Sequence, residues 1–428
     1  MNGRRTLAAL CLGLLLMITF VGQAVGTTSA ALPTFVAGDL ALVFAFRDGS
    51  TTLPTLPAGW TSVLAPTGAN TCSMRVGYRV LVSGDTTTGT WTSASRLVVH
   101  VYRSTTAIAY PGASASASGA STTVSYPALS GGSAMKRTDG TSWVAGFAGH
   151  RSVDTALETP PTGMTNRSDG VDATAEAAGH DTNGGVASRS LQTVSVGGTS
   201  SGWFGATVEI VEAQFGDEIQ VLYTDNFSSG SAAAFPQAVH AGTLLVAGFG
   251  RATNSTPTVT DTQSDGWALG RSHYDAGNDY RVDLWYATAA SSAACSVTVT
   301  AAGGAGERVI GEYYGPFDAA PLDTGADAIG TSNSPSSGNA TTTVNGELCL
   351  GFILAAAGNT SWTPGASYIA DSSQAGGTNA DTLLEHQVLA TAGSIAATAT
   401  LSGSFAWDAL LATFKAASGD ILFAQAIF

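Results

Sequence analysis

The sequence has few charged residues, and basic ones are the scarcest. Charged residues make up 11% of the 428 residues, whereas average soluble domains contain about 25%. The chain has 17 basic residues, of which Lys136 and Lys415 are the only lysines, against 31 acidic ones, for a formal net charge of −14. Such a chain, with no basic cluster, repels phosphate backbones, so we predict that it binds no nucleic acid.

Cysteine is also scarce. Four cysteines are too few for a disulfide-dense scaffold, and none has the CxxC or Cys/His spacing of a zinc site. We predict that they are small buried side chains: Cys11, Cys72, Cys295 and Cys349. Phosphate-loop and dinucleotide fingerprints are absent too, so we predict no bound cofactor.

Segments of the first half of the chain recur, in the same order, in the second half. The paired segments are Pro33–Phe46 with Pro236–Phe249, Gly59-Trp60 with Gly266-Trp267, Tyr78–Val80 with Tyr280–Val282, Arg96–Tyr102 with Arg308–Tyr314, and Trp203–Ile210 with Trp407–Phe414. This pattern predicts a tandem duplication of a unit of about 200 residues.

The repeated unit has the pattern of β-structure. Apolar residues alternate with polar ones in 281–286 and 296–300, and continuous apolar runs such as Leu40–Phe46 are typical of strands in a sandwich core. Clusters of Gly, Ser, Thr and Asn between the runs predict turns. We therefore predict an all-β protein of two tandem antiparallel β-sandwich, jelly-roll-like domains, unit 1 at 17–216 and unit 2 at 217–417.

Each unit also contains two weakly similar halves. Gly140–Phe147 repeats the start of unit 1, and Gly346–Phe352 repeats the start of unit 2. We interpret the paired segments as the two central strands of one sandwich rather than as separate domains.

The apolar N-terminal extension, residues 1–16, supports two hypotheses. Arg4 and Arg5 precede an apolar run too short for a confident membrane span, and small residues at 24–26 and 28–30 resemble signal-peptidase sites. The repeat, however, predicts that Ile18–Val21 is the first strand of unit 1, which cleavage would remove. In the second hypothesis, residues 1–16 are dispensable and Met17 is the natural start.

The apolar C-terminal tail, residues 418–428, lies beyond the last repeat. Its sequence from 421 is ILFAQAIF. It could dock on a neighbouring subunit or add a strand to its sheet. Packing on its own domain is the other possibility, and both stay open.

No motif in the sequence predicts catalysis. Gly198–Gly202 matches the nucleophile elbow G-x-S-x-G around Ser200, but the match lies between predicted strands, where the motif needs a strand and a helix. The six histidines have no metal-ligand or relay spacing: His100, His150, His180, His240, His273 and His386. We predict no catalytic, cofactor-binding or metal-binding residues.

Two weaker groups of candidates come from acidic loops and tryptophans. Oxygen-rich loops favour calcium, although none has an EF-hand spacing: Asp261 and Asp265; Asp275, Asn278 and Asp279; and Asp169, Asp172, Glu176 and Asp181. The recurring tryptophans, Trp60 with Trp267 and Trp203 with Trp407, predict anchoring roles. The unmatched Trp91 and Trp362 are the candidates for a glycan-binding surface.

Several segments together resemble a known family. The order Ile18–Gly22, Ala37–Leu40, Gly59–Thr61, Tyr78–Val80 and Val99–Arg103 is similar to β-sandwich domains in virion proteins of tailed bacteriophages, including tail, fibre and decoration proteins. The resemblance covers residues 17 to about 417 and implies a particle component without active-site residues. Unit 2 departs from it at Thr243, where unit 1 has Asp39.

We therefore expect a non-enzymatic structural protein of a bacteriophage particle, located in the virion, whose partners are copies of itself and neighbouring virion proteins. The alternative is a secreted or cell-surface adhesin that binds glycans. A glycan-cleaving enzyme is a further alternative, which requires paired carboxylates facing one cleft.

Overall fold

The structure is a computed structural model, which describes residues 18–152, 157–171, 174–196, 198–277, 279–303, 305–358 and 361–417. Within these residues the chain is almost entirely antiparallel β-sheet, with one 3₁₀ helix at Gly131–Ser133. The all-β prediction is confirmed. The N-terminal extension 1–16 and the tail 418–428 lie outside the described residues.

The strands fall into four successive groups along the chain. The first contains β1 (Ile18–Gly26), β2 (Leu40–Arg47), β3 (Thr61–Ser62), β4 (Thr67–Ala69), β5 (Cys72–Val80) and β6 (Arg96–Ser104). The second contains β7 (Ala109–Ser121), β8 (Thr123–Tyr126), β9 (Trp143–His150), β10 (Thr165–Val171), β11 (Glu176–Asp181), β12 (Gln192–Ser195) and β13 (Ser201–Glu212).

The second half of the chain repeats this grouping. The third group contains β14 (Glu218–Phe227), β15 (Ala232–Ala234), β16 (Leu244–Arg251), β17 (Thr258–Asp261), β18 (Ala268–Asp275), β19 (Tyr280–Thr288), β20 (Ser296–Thr300) and β21 (Gly306–Tyr313). The fourth contains β22 (Phe317–Ser332), β23 (Ala340–Thr341), β24 (Glu347–Ala356), β25 (Trp362–Pro364), β26 (Ile369–Gln374), β27 (Ala380–Leu389), β28 (Ser394–Ile395), β29 (Ala399–Leu401) and β30 (Phe405–Ala416).

Each group forms one principal sheet, and the four sheets have the same strand order. Sheet 1 is β1-β6-β2-β5-β3, with β4 also paired to β5; sheet 2 is β7-β13-β9-β11-β10; sheet 3 is β14-β21-β16-β19-β18; and sheet 4 is β22-β30-β24-β27-β26. In every sheet the first strand of the group is at one edge, beside the last strand. The origin of this recurrence in a gene duplication stays a prediction.

The smaller sheets bear on the jelly-roll-like prediction. Each principal sheet is built from one stretch of the chain, so sheet 1 is complete before sheet 2 begins. Short strands within the same stretches form smaller sheets, such as β15-β20-β17 in the third group, where the strands from β14 to β18 alternate between sheet 3 and this smaller sheet. The antiparallel β-sandwich prediction is confirmed, and the jelly-roll-like order stays a prediction.

Sheets 1 and 2 pack face to face around one apolar core, and sheets 3 and 4 around another. The first core includes Phe44, Phe147 and Phe204, and the second includes Phe352 and Phe414. The central strands are apolar on both faces because their outer faces are buried as well. Short strands and loops cover these faces: on sheet 1, Ala41, Val43 and Ala45 of β2 belong to an outer cluster with Leu81 and Trp91 from the segment between β5 and β6.

The pairing register corrects two of the matched segments. Leu40 pairs with Tyr102 and Leu244 pairs with Tyr313, so Tyr313 occupies the position of Tyr102 and the match to Tyr314 was one residue off. Loops of unequal length hide such shifts from a sequence comparison, and a one-residue shift reverses the face of every side chain.

The match of Tyr78 to Tyr280 was also wrong. Tyr78 pairs with Leu42 near the end of β5, whereas Tyr280 opens β19. Tyr286, which pairs with Val246 in β16, holds the position that corresponds to Tyr78.

The turn before each central strand explains the exchange of Asp39 for Thr243. Gly38 and Gly242, which precede them, have φ of +96° and +84°, a conformation that favours glycine. The buried Asp39 carboxylate accepts the Val36 N–H at 2.9 Å. Thr243 has no carboxylate to offer at the same position.

In unit 2 the carboxylate comes from strand β21 instead. Glu312 accepts the His240 N–H at 2.7 Å and the Thr243 hydroxyl at 2.8 Å. A buried carboxylate therefore holds the turn in both units, although a different strand supplies it.

Residues 18–21 lie in strand β1, as the repeat predicted. It is the edge strand of sheet 1 and pairs with β6 from Ile18 opposite Ser104 to Gly26 opposite Leu97. The buried Ile18 contributes to the first core, and Phe20 packs against it. The described residues contain no helix long and apolar enough to span a membrane.

The two sandwiches touch through a hydrogen-bonded contact. The side chain of Gln237 is 4% exposed, accepts the Val80 N–H at 2.9 Å and donates to the Thr61 hydroxyl at 2.7 Å. Arg137 of the first sandwich forms an ion pair with Asp217, just before β14. These bonds fix the two sandwiches against each other.

Candidate functional site

A hydrogen-bonded chain that includes a serine, a histidine and an aspartate lies between sheets 1 and 2. His100 Nε2 is 2.9 Å from Ser168 Oγ, and His100 Nδ1 is 3.0 Å from the Tyr102 hydroxyl, which donates to Asp181 at 3.3 Å. Because the Tyr102 proton is used on Asp181, Nδ1 donates to Tyr102 and Nε2 accepts from Ser168. The order of groups resembles that of a Ser-His-Asp relay, but Tyr102 lies between the histidine and the aspartate.

This chain is inaccessible to a substrate. Ser168 is 4% exposed, and the other three side chains are fully buried. Burial also holds the pKa of His100 well below its usual value. The network therefore links the two sheets and has no room for a reacting group.

A related network occupies the same place in the second sandwich. The Tyr313 hydroxyl donates to Asp371 at 2.6 Å, and His386 Nδ1 is 2.6 Å from the other oxygen of Asp371. Asp181 and His386 hold the same register position opposite the central strands, and Arg167 and Asp371 both lie at bulges of edge strands. Arg167 of unit 1 thus corresponds to Asp371 of unit 2, and Asp181 corresponds to His386. The acidic and basic side chains have exchanged positions, and the recurring feature is a polar link between the sheets.

Ser200 does not occupy a nucleophile elbow. It lies in an exposed turn before strand β13, where the motif would need a helix. Its hydroxyl donates to the Ala120 carbonyl at 3.4 Å. The described residues bring no histidine into hydrogen-bond contact with it.

The described cysteines are buried and unbonded to one another, as predicted. Burial raises the pKa of each thiol to about 12, so the nucleophilic thiolate is suppressed. These residues are Cys72, Cys295 and Cys349. Cys11 lies outside the described residues.

The structure removes Trp91 from the glycan-binding candidates. Its side chain is fully buried, packs edge-on against Trp60 at 5.4 Å between ring centroids, and donates to the Thr88 carbonyl. Trp362 is partly buried and donates to the Gln374 carbonyl at 3.1 Å. The prediction for Trp91 was wrong because apolar coverage of the outer sheet faces left no trace in the local sequence.

Trp203 and Trp407 make the same contacts in the two sandwiches. The rings lie over Gly119 and Gly330, where an added Cβ would come within 2.6 and 2.5 Å of the indole. In each sandwich the indole N–H also donates at 3.0 Å to a serine on the strand that carries this glycine, Ser121 in β7 and Ser332 in β22. The predicted anchoring role of this pair is confirmed.

The residue that follows the tryptophan differs between the two sandwiches, and unit 2 has a cavity at this position. Phe204, 1% exposed, fills the end of the first core. Asp408 holds the matching register position in strand β30 and lines a cavity of about 410 Å³. The same end of the sandwich is thus closed in unit 1 and open in unit 2.

The cavity between sheets 3 and 4 combines apolar walls with unused polar atoms. Leu354 lines it, and the Tyr280 hydroxyl and Asp408 Oδ1 are buried without a hydrogen-bond partner. Asp275 and Asn379 lie at the same cavity. Burial raises the pKa of Asp408 to about 6, so this carboxyl group can accept or donate a hydrogen bond near neutral pH.

The acidic loops contain turns and two compact groups of possible metal ligands, one of which joins Asp261 and Asp265 with Cys295. Asp261 accepts the N–H groups of Gln263 and Asp265 and the Trp267 indole N–H, and Asp275 accepts the Gly277 N–H. These carboxylates stabilise their own turns, and Asn278 and Asp172 lie outside the described residues.

Two of the remaining acidic candidates lie together, and sequence reasoning missed the third member of their group. Asp169 and Glu176 meet Glu158 in a compact group, whereas Asp181 belongs to the His100 network. Glu158 stands alone in a loop with no spacing signal. Among the described residues no histidine joins a group of metal-ligand size.

No protein-family model, curated protein or solved structure matches this chain.

Proposed function

We propose that the chain is a non-enzymatic structural protein of a bacteriophage particle, of the decoration, tail or fibre type, that acts through subunit contacts. The observation that supports this most directly is the long outer strand β7. It is the edge of sheet 2, and among the described residues it pairs with β13 and with no other strand.

Most of strand β7 lacks the protection that monomeric proteins give to sheet edges. Edge strands are normally guarded by lysine, proline, bulges or short length, because their free N–H and C=O groups pair with other chains. In β7 a proline, Pro111, and an adjacent register shift lie at the start of the strand. The residues that follow, 114–121, read SASASGAS, with no charge and no proline, and Ser116, Ser118 and Ala120 are exposed. An uncharged edge of this length suits strand addition to a second subunit.

The polar groups elsewhere are consistent with this role. The buried Ser168 and His100 link two sheets, and Ser200 holds a turn. The net charge of −14 favours contact with protein rather than with packaged nucleic acid.

Lysine at the exposed positions of β7 is expected to abolish self-association. The double variant Ser116→Lys, Ser118→Lys places two charges on the edge, and their burial in a subunit contact is unfavourable. Multi-angle light scattering should show oligomers for the wild-type protein and monomers for the variant, with the same melting temperature.

The matched control places lysine on another sheet edge. Ser373→Lys alters an exposed serine of the edge strand β26, and it should assemble like the wild type. A monomeric wild-type protein, or unchanged oligomers in the β7 variant, would contradict the role of this edge. Mass spectrometry of purified particles tests the assignment to a virion, because a protein confined to the culture supernatant would refute it.

The cavity of unit 2 favours a second candidate function, glycan binding by a surface adhesin. Tyr280 offers an aromatic ring with a free hydroxyl, and Asp408 offers a buried free carboxylate oxygen. Apolar walls with a few convergent polar groups are typical of small-ligand sites. Asp275 supplies a second carboxylate, the pairing that glycan cleavage needs.

A glycan array tests this second candidate. If the cavity binds sugars, the wild-type protein should give saturable signals that Tyr280→Phe weakens by about tenfold, since one hydrogen bond to a free group is lost. The variant Trp362→Ala tests the alternative that glycans bind at the surface around Trp362 rather than in the cavity. An array without signals would reject glycan binding, and assays with chromogenic glycosides would separate cleavage from binding.

A further inference from the structure

We propose that Glu158, Asp169 and Glu176 form a calcium-binding site on the outer face of sheet 2. One carboxylate oxygen from each residue lies within 4.8 Å of the other two. The site is independent of the subunit contacts proposed above.

The β10–β11 hairpin places two of the three carboxylates side by side. Glu176 pairs with Val171, and Asp169 pairs with Ala178. Ala177 points into the first core, whereas Ala178 packs against the outer layer with Tyr126. Because side chains alternate along a strand, Glu176 and Asp169 project into the outer layer, and Glu158 approaches them from the loop before β10.

The unused oxygen of Glu176 points to a missing cation. Glu176 is 1% exposed, yet its Oε1 atom, like the buried Oδ1 of Asp169, receives no hydrogen bond from an N–H or hydroxyl group, and its side-chain contacts are with the carboxyl groups of Asp169 and Glu158. A buried carboxylate must be paired, protonated or coordinated to a metal. Here its nearest polar neighbours are further carboxylates, which increase the need for positive charge.

None of the described basic groups forms an ion pair with Glu176. His150 pairs with it from strand β9, but burial lowers the pKa of this imidazole, and its Nε2 donates to the Ser121 carbonyl. Tyr126 on β8 is a neutral phenol whose pKa is raised by burial and by Glu176. Arg189 lies on the far side of Tyr126, where its guanidinium donates to the Thr162 carbonyl at 3.1 Å and does not contact Glu176.

Calcium fits this donor set better than other common cations. It takes six to eight oxygen ligands at about 2.3–2.6 Å, so ligand oxygens on opposite sides of the ion are about 5 Å apart. Three carboxylates, mono- or bidentate, with water on the exposed side of Glu158, meet this requirement. Magnesium loses its water reluctantly and prefers sites with fewer carboxylates.

Calcium is expected to raise the melting temperature of the full chain. At a concentration about 100 times the dissociation constant, the increase should be roughly 5 °C relative to EDTA. Glu176→Gln should abolish this increase in melting temperature, and Asp169→Asn should lower the apparent affinity for calcium at least tenfold. Terbium luminescence gives an independent measure of binding to the same variants.

A matched control variant tests whether the calcium response is specific to this site or common to buried carboxyl groups. Glu385→Gln removes another buried carboxyl group, whose pKa burial raises to about 7, and its calcium response should equal that of the wild type. If Glu176→Gln does not fold, the exposed Glu158→Gln takes its place. No calcium shift and no terbium signal in the wild type, or an unchanged response in these site variants, would overturn the proposal.

Discussion

Replacing Phe204 by aspartate is expected to unfold the first sandwich under conditions in which the native protein is stable. Phe204 is 1% exposed within the first core, and truncating a buried phenylalanine alone costs about 3–5 kcal/mol. The new carboxylate would also lose its hydration without gaining a partner. Hydrogen exchange should show loss of protection in β9 and β13, while a Phe204→Leu control keeps its fold.

The reciprocal change, Asp408→Phe, is expected to stabilise the second sandwich. Filling the cavity with an apolar ring contributes about 1–3 kcal/mol and removes a buried carboxyl group. In the wild type, burial raises the pKa of Asp408 from 3.8 to about 6, against the opposing effect of His273 and with repulsion from Asp275 and Asp327. This group therefore reduces stability as the pH rises from 3.8 to 6.

Thermal unfolding between pH 4 and pH 7 tests this prediction. Asp408→Phe should melt at a higher temperature than the wild type, and its advantage should grow across the range in which Asp408 loses its proton. A destabilised variant, or an advantage that shrinks with pH, would show that the cavity cannot accept a ring. Loss of any glycan signal in the same variant would locate that binding in the cavity.

Removal of residues 1–26 is expected to prevent stable folding of the first sandwich, whereas removal of residues 1–16 should have little effect. Strand β1 pairs with β6 along its whole length. Its loss withdraws the buried Ile18 and the ring of Phe20, over which the Arg167 guanidinium lies at 4.4 Å. Each large apolar side chain lost from a core costs about 2–5 kcal/mol, a large fraction of a domain's stability.

The truncation can be tested with its own rescue. A synthetic peptide of residues 18–26, added to the chain that begins at 27, should restore protection in β6, and a scrambled peptide should not. Limited proteolysis and circular dichroism report the fold of the two truncated chains. A chain beginning at 27 that melts at the wild-type temperature would show that β1 is not essential.

The sequence patterns that predicted the fold were those that depend on burial within one strand. Runs such as Leu40–Phe46 identified the central strands because both faces of each sheet are covered, and the apolar residues 18–21 identified a part of β1. Which strand pairs with which depends on loop lengths and on contacts distant in sequence. Tyr78 and Tyr280 therefore looked equivalent, although they lie at opposite ends of their strands.

The candidate sites were less accessible to sequence reasoning, for two different reasons. The cavity had a signal: Phe204 and Asp408 follow matched tryptophans, and the exchange of a ring for a carboxylate was open to inspection. The cluster at Glu176 had only a partial sequence signal, because Glu158 comes from a separate loop and its position beside Glu176 is set by tertiary packing. Spacing along a chain cannot reveal such a partner.

The construction of each sheet from one continuous stretch affects how the protein is made. Sheet 1 uses residues 18–104 and sheet 2 uses residues 109–212, so during synthesis one whole sheet leaves the ribosome before its packing partner exists. Until then, the side chains of Phe44 and Phe46, which point into the first core, have no second sheet to pack against. Slow translation or a stall between residues 104 and 212 would prolong that exposure, and aggregation of nascent chains should be greatest in this interval.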